Sequence, residues 1–170
     1  MPFAVTHVLI PMILVDLVRD HLFKKKKKLL PNKYILLAGF AGLLPDIDVP
    51  ISYIISGAFE FHRTLSHSIW FPIAFFSLFL ITYYMKKENL YKTFLMVFIG
   101  FSIHILLDFF IFGDVSLMFP LNNTLYGFNI FPFFTEQFPY MIILYSALDA
   151  ILLLLWLTHE EWEHKISDYF

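Results

Sequence analysis

His62-Arg63-Thr64-Leu65-Ser66-His67-Ser68 runs directly into an apolar segment, residues 69–85, and is preceded by Pro45-Asp46-Ile47-Asp48. Seven residues there hold two imidazoles, a guanidinium and three hydroxyls, in a sequence otherwise dominated by Phe, Leu and Ile. Asp, Lys or Arg at the centre of a membrane helix costs roughly 2.5–3.5 kcal/mol on insertion scales. A chain this apolar that still gathers His, Asp and Arg is expected to use them together.

Working outward, the composition sets the solvent. The 170 residues are 59% hydrophobic, 20% aromatic and only 15% charged, with a mean hydropathy of +0.70. Soluble domains carry about a quarter charged residues. The chain therefore reads as one membrane-embedded helical domain over residues 1–170. The absence of cysteine excludes disulfides and thiolate metal sites, so a metal would have to sit on His, Asp and Glu, a donor set suited to zinc, manganese or iron. No basic n-region precedes the first apolar stretch, which is expected to be retained. No lipidation motif is evident.

The expected architecture is an all-α, polytopic bundle of four to five helices. The first helix covers residues 3–18. The second, residues 34–44, is short against the roughly 20 residues that span a hydrocarbon core, and Pro45 is expected to stop it. Residues 46–62 form a connection, with a short helical turn over 51–55. The third helix starts at Thr64 or Ser66, either able to cap it, and runs to Met85 with a kink at Pro72. The fourth covers 91–112. A long aromatic loop, 113–139, is lid-like by its length, with Phe128, Phe131, Phe133 and Phe134 as an aromatic belt or lipid-contacting lid. The fifth helix covers 140–157, and an acidic tail closes the chain over 160–170.

Charge supplies an orientation. The segment from Arg19 to Lys33 holds seven Lys or Arg, and that from Lys86 to Lys92 holds three; the two other connections hold only Arg63. By the positive-inside rule the lysine loops face the cytoplasm of an inner or plasma membrane. Lys24, Lys25, Lys26, Lys27 and Lys28 are expected to bind anionic lipid at about 1 kcal/mol each, in preference to nucleic acid.

This topology brings His7, Asp46, Asp48, His62, His67, His104 and Asp108 to the non-cytoplasmic end of four helices. His104 and Asp108, at i and i+4, share a helix face. Convergence of this kind builds metal sites in helix bundles. Taken singly each has a plainer use: a structural His7, a stabilising His104–Asp108 pair, a turn at Asp46-x-Asp48, a snorkelling Arg63. Asp16 lies towards the cytoplasmic end of the first helix, Asp149 in the middle of the fifth reads as a buried polar contact with no assigned role, and His21, His159 and His164 fall on the cytoplasmic side.

Taken in order, Thr6-His7, Leu44-Pro45-Asp46-Ile47-Asp48, His62-Arg63-x-x-Ser66-His67-Ser68, His104-x-x-x-Asp108 and Gly113…Phe119-Pro120-Leu121 resemble the YdjM-like family. That family is described as LexA-binding, inner-membrane-associated metal-dependent hydrolases; no residue of this chain carries the LexA part of the description. The chain is more faintly similar to the zinc phospholipase C and P1 nuclease superfamily, all-helical hydrolases with clustered zinc. Their ligand order is matched by His7, Asp46 or Asp48, His62 or His67, and His104 with Asp108. Their later His, His and Glu ligands have no counterpart past Asp108, which implies one or two ions.

The resulting expectation is a membrane-embedded hydrolase using Zn2+, or Mn2+ or Fe2+, on a phosphoester or lipid-derived substrate at the non-cytoplasmic face. The ion activates water and polarises the scissile bond. Asp48 or Asp46 orients or deprotonates that water, Arg63 offsets phosphoryl charge, and Ser66 and Ser68 orient imidazoles. The rival readings are a proton- or ion-coupled transporter and a non-catalytic membrane scaffold or regulator.

Overall fold

The computed structural model describes residues 4–22, 30–57, 63–111, 113–128 and 141–163. His62, Lys24 to Lys28, His164 and the loop phenylalanines 131, 133 and 134 lie outside these. The described regular structure is helical: α1 (Ala4–Leu22), α2 (Asn32–Ala41), a 3-10 turn (Pro45–Ile47), α3 (Asp48–Ser56), a second 3-10 turn (Leu65–His67), α4 (Trp70–Tyr84), α5 (Glu88–Ile111) and α6 (Met141–Glu163). One antiparallel bridge, Val115 to Tyr126, ties the aromatic loop.

Helix α5 is the axis of the molecule, with α2 and α4 packed along it and α1 against both α2 and α5. Small residues allow this. A methyl group on Gly100 of α5 would lie 2.2 Å from the Ala38 carbonyl oxygen, so the backbones of α2 and α5 touch. Such close approach is how apolar helices associate when lipid removes the hydrophobic drive. The core between α1, α2 and α5 is Met12, Val15, Tyr34, Ile35, Ala38 and Met96, with Trp156 of α6 packed on it.

Several element boundaries differ from the sequence expectation. Helix α2 ends at Ala41, before Pro45, because Gly42 caps it with its N–H on the Ala38 and Gly39 carbonyls. The turn expected over 51–55 is a nine-residue helix beginning at Asp48. Helix α4 starts at Trp70 rather than Thr64 or Ser66, since Ser68 is extended and Ser66 spends its hydroxyl elsewhere. Pro72 then falls in the first turn of α4, where a missing N–H costs nothing, and needs no kink. Helix α6 continues to Glu163, so the start of the expected acidic tail is helical.

Two ends can be told apart. At one, Arg19 donates to Asn32 (2.6 Å) and Tyr34 to Asn89 (3.3 Å), with Lys33 and Lys92 over the Tyr34 ring. At the other, α1 begins, α2 finishes and the last turns of α5 meet the 3-10 turns. Only α5, among the described helices, is long and apolar enough to cross a membrane alone. The α2 helix and the Pro45–Ser56 segment pass the same test as a pair bent by 48°. Helix α4 is apolar but shorter, and its outward residues Ile73, Phe76, Leu80 and Ile81 are exposed.

Candidate metal centre

His7 sits in the second turn of α1, four residues before Pro11. Proline has no N–H, so the His7 carbonyl lacks its helical donor. Gly42 fits against it: a methyl group at Gly42 would stand 2.1 Å from the His7 carbonyl oxygen. The Gly42 carbonyl in turn accepts from His104 Nδ1 at 2.6 Å. One glycine thereby joins α1, α2 and α5 at the level of the histidines.

The donation to Gly42 fixes the tautomer of His104. With the proton on Nδ1, its Nε2 carries a lone pair. That atom lies 3.2 Å from His67 Nε2, whose ring is held from behind, Nδ1 being 3.3 Å from Asp48 and 3.0 Å from the Ser66 hydroxyl. Around the facing nitrogens stand Asp108 Oδ2, 3.3 Å from His67 and 3.7 Å from His104, and Asp46 Oδ1, 3.7 Å and 3.5 Å away. Ligand atoms about 2.1 Å from a tetrahedral ion are separated by about 3.4 Å. Five of the distances among these four atoms run from 3.2 to 3.7 Å, and Asp46, His67 and His104 form a triplet of donors able to hold a divalent ion, with Asp108 Oδ2 beside it.

The other oxygen of Asp108 continues the cluster. Oδ1 is 3.2 Å from His7 Nε2, and His7, His104 and Asp108 form a second triplet of suitable donors. A carboxylate with one oxygen in each group is the arrangement two-metal sites use. His67, His104, Asp108 and His7 are all buried, while Asp46 is 18% exposed at the side chain and forms the opening.

Burial alone would oppose charge on His67, yet hydrogen bonds to Asp108 and Asp48 outweigh it and raise its pKa above the ordinary imidazole value. A proton is thus attracted to the spot a cation would fill.

Asp48 is occupied as an orienting group: its Oδ2 accepts from the Ser66 hydroxyl and from the Arg63 N–H, besides facing His67. Arg63 has left-handed backbone (φ 61°), held by that bond and by its carbonyl accepting from Ser116. Its Nε points inward, 3.5 Å from Asp108 Oδ2, which removes the snorkelling alternative. Ser68 is buried and its hydroxyl reaches neither imidazole. Asp149 of α6 accepts from the Thr6 N–H (3.1 Å) and hydroxyl, satisfying the first turn of α1 beside His7. Phe128 packs on Phe109 and Phe110 at the end of α5.

Six of the seven expected ligands therefore meet at one end. The seventh, His62, is outside the described residues. A family model described as YdjM inner membrane protein matches residues 1–166. The chain belongs to that family. Membership places this YdjM protein in a membrane, in accord with its exposed apolar helix faces. No curated protein and no solved structure matches the chain significantly, so its likeness to the phospholipase C and P1 nuclease superfamily rests on residue order alone.

Proposed function

We propose that this YdjM protein is a metal-dependent hydrolase, embedded by several passes, that cleaves a phosphoester or lipid-derived substrate at the membrane face opposite its lysine loops. One observation carries the reading. Two imidazole Nε2 atoms, each ring tied from behind, face one another at 3.2 Å between the carboxylates of Asp46 and Asp108. A proton on His67 bridges the two nitrogens as a hydrogen bond, and a divalent cation in the same place would be met by both imidazoles and both carboxylates. A bound Zn2+, Mn2+ or Fe2+ would supply an acidic water and polarise an ester oxygen.

The chain's own residues do the rest. His67, His104, Asp46 and Asp108 would hold the first ion, and His7 with Asp108 a second. Asp48 acts through His67, keeping the ring orientation and raising its basicity as a carboxylate behind a ligand histidine does. Asp46, at the opening, is positioned to take a proton from water entering there. Arg63 stands at the same rim with a planar guanidinium suited to phosphoryl oxygens.

The test is metal and turnover together. Protein purified in detergent should carry bound metal and hydrolyse bis(p-nitrophenyl) phosphate or phospholipid vesicles, losing activity to a chelator and regaining it with Zn2+ or Mn2+. His104→Ala with Asp108→Ala should remove most of the metal and the activity. Metal-free protein after growth in supplemented medium would end the proposal; bound metal without turnover would leave a metal-stabilised scaffold.

A further inference from the structure

A second polar cluster lies at the other end of α1. Asp16 and Glu160 are each 1% exposed, and His159 stands beside them. One donor atom from each of the three lies within 4.8 Å of the others, and His159 Nε2 is 3.9 Å from Asp16 Oδ2. Although the His159 side chain is 40% exposed, its Nε2 is turned inward and buried. Neither carboxylate oxygen of Glu160 meets an N–H or hydroxyl donor; its polar neighbour is the Asp16 carboxyl, with which it can share a proton. Buried polar atoms are almost always satisfied by protein, water or an ion, and an unsatisfied carboxylate is among the costliest exceptions.

The remaining charges decide what is missing. Arg19 pairs with Asp16 and, at 3.3 Å, with Asp20, and donates to Asn32 at 2.6 Å. Arg19 balances one carboxylate of three. Asp20 is partly exposed, so the buried pair Asp16 and Glu160 keeps one net negative charge beside Arg19, which a proton shared between them would offset without engaging His159. A divalent cation occupies all three inward donors, the buried His159 Nε2 included, a carboxylate–carboxylate–imidazole set of the kind that holds Zn2+ or Mn2+.

We propose that Asp16, Glu160 and His159 form a separate divalent-metal site that clamps α6 to α1. It is not an extension of the first centre: nine residues along α1 separate Asp16 from His7, about 14 Å of helix. Its place in the fold gives its role. Helices α1 and α6 run parallel, held at one end by Asp149 on Thr6. Ten residues on in each, Asp16 meets His159 and Glu160. The site closes the lysine end of that contact, as Asp149 closes the histidine end.

The experiment uses the full chain in detergent carrying His104→Ala and Asp108→Ala, so its result does not depend on the first centre. Titrated with Zn2+ alone, this background should bind one tight equivalent and melt at higher temperature when loaded. Adding Glu160→Gln should abolish that equivalent, and His159→Gln, at the half-exposed edge, should weaken it at least tenfold. Should the background not fold, elemental analysis of the single Glu160→Gln protein must show one ion fewer per chain than the unsubstituted protein. Absence of Zn2+ binding in a folded background, or binding unchanged by Glu160→Gln, overturns the site.

Discussion

Arg63 is where backbone and chemistry conflict. A non-glycine residue in the left-handed region costs about 1–2 kcal/mol, and Arg63 is kept there by Asp48 and Ser116 while its side chain faces Asp108. Arg63→Gly should therefore leave thermal stability unchanged or raise it by about 1 kcal/mol, while turnover falls at least tenfold. Arg63→Lys keeps the charge but loses the planar fork and should lower turnover with metal content unchanged. Turnover equal to that of the unsubstituted protein in both would assign Arg63 to the fold alone. At this scale the sequence was readable wherever a polar residue interrupted an apolar background, as at His7, His104 and Asp108. It was silent on Glu160, which sits in what reads as a solvated acidic end and turns inward only because α6 persists to Glu163. Ser66 was expected beside an imidazole, but its bond to Asp48 depends on a 3-10 turn that no periodicity announces.

Among the elements, the short ones do the positioning. Two 3-10 turns and the nine-residue α3 place Asp46, Asp48 and His67, whereas the long helices supply His7, His104 and Asp108. The existence of the long helices follows from apolar run length. Their boundaries moved because capping and proline placement compete with that run: Gly42 ends α2 early, and Pro72 opens α4 instead of bending it. The structural weight on Gly42 was hidden, since a glycine in an apolar segment does not show what presses on it. Gly42→Ala would drive a methyl group into the His7 carbonyl oxygen, 2.1 Å away, and displace the carbonyl that holds His104. Metal affinity should fall by about 10–100-fold, the usual cost of losing a partner behind a ligand, measured by competition with a chromogenic chelator. Gly57→Ala, whose added methyl group meets nothing within 4 Å, is the control and should bind metal normally despite its strained φ. Unaltered affinity in Gly42→Ala would mean that His104 needs no support from α2.

For the whole molecule, the arrangement of ends is the claim that matters. Lys33 and Lys92 gather around Tyr34 at one end, and His7, Asp46, His67, His104 and Asp108 at the other. The separation is large. Fifteen residues of α5 divide Asn89 from His104, about 22 Å of helix, most of the roughly 30 Å hydrocarbon thickness. Sequence charge alone suggested this polarity, because lysines and histidines fall in alternate connections. It could not show that α2, only ten residues long, carries the chain from one end to the other with the bent Pro45–Ser56 segment beyond it. If the membrane lies across α5, the two ends face opposite compartments. The native chain has no cysteine, so single cysteines report position without background. Cysteines replacing Lys87 or Asn89, both exposed at the lysine end, should react with an impermeant maleimide only after the cytoplasmic side is opened. Those replacing Ser56 or Asn123, exposed beyond the histidine end, should react in intact cells. Labelling of Ser56 and Lys87 positions from the same side would put the metal centre on the lysine side of the bilayer and remove the case for an outward-facing hydrolase, while leaving the six-residue cluster itself intact.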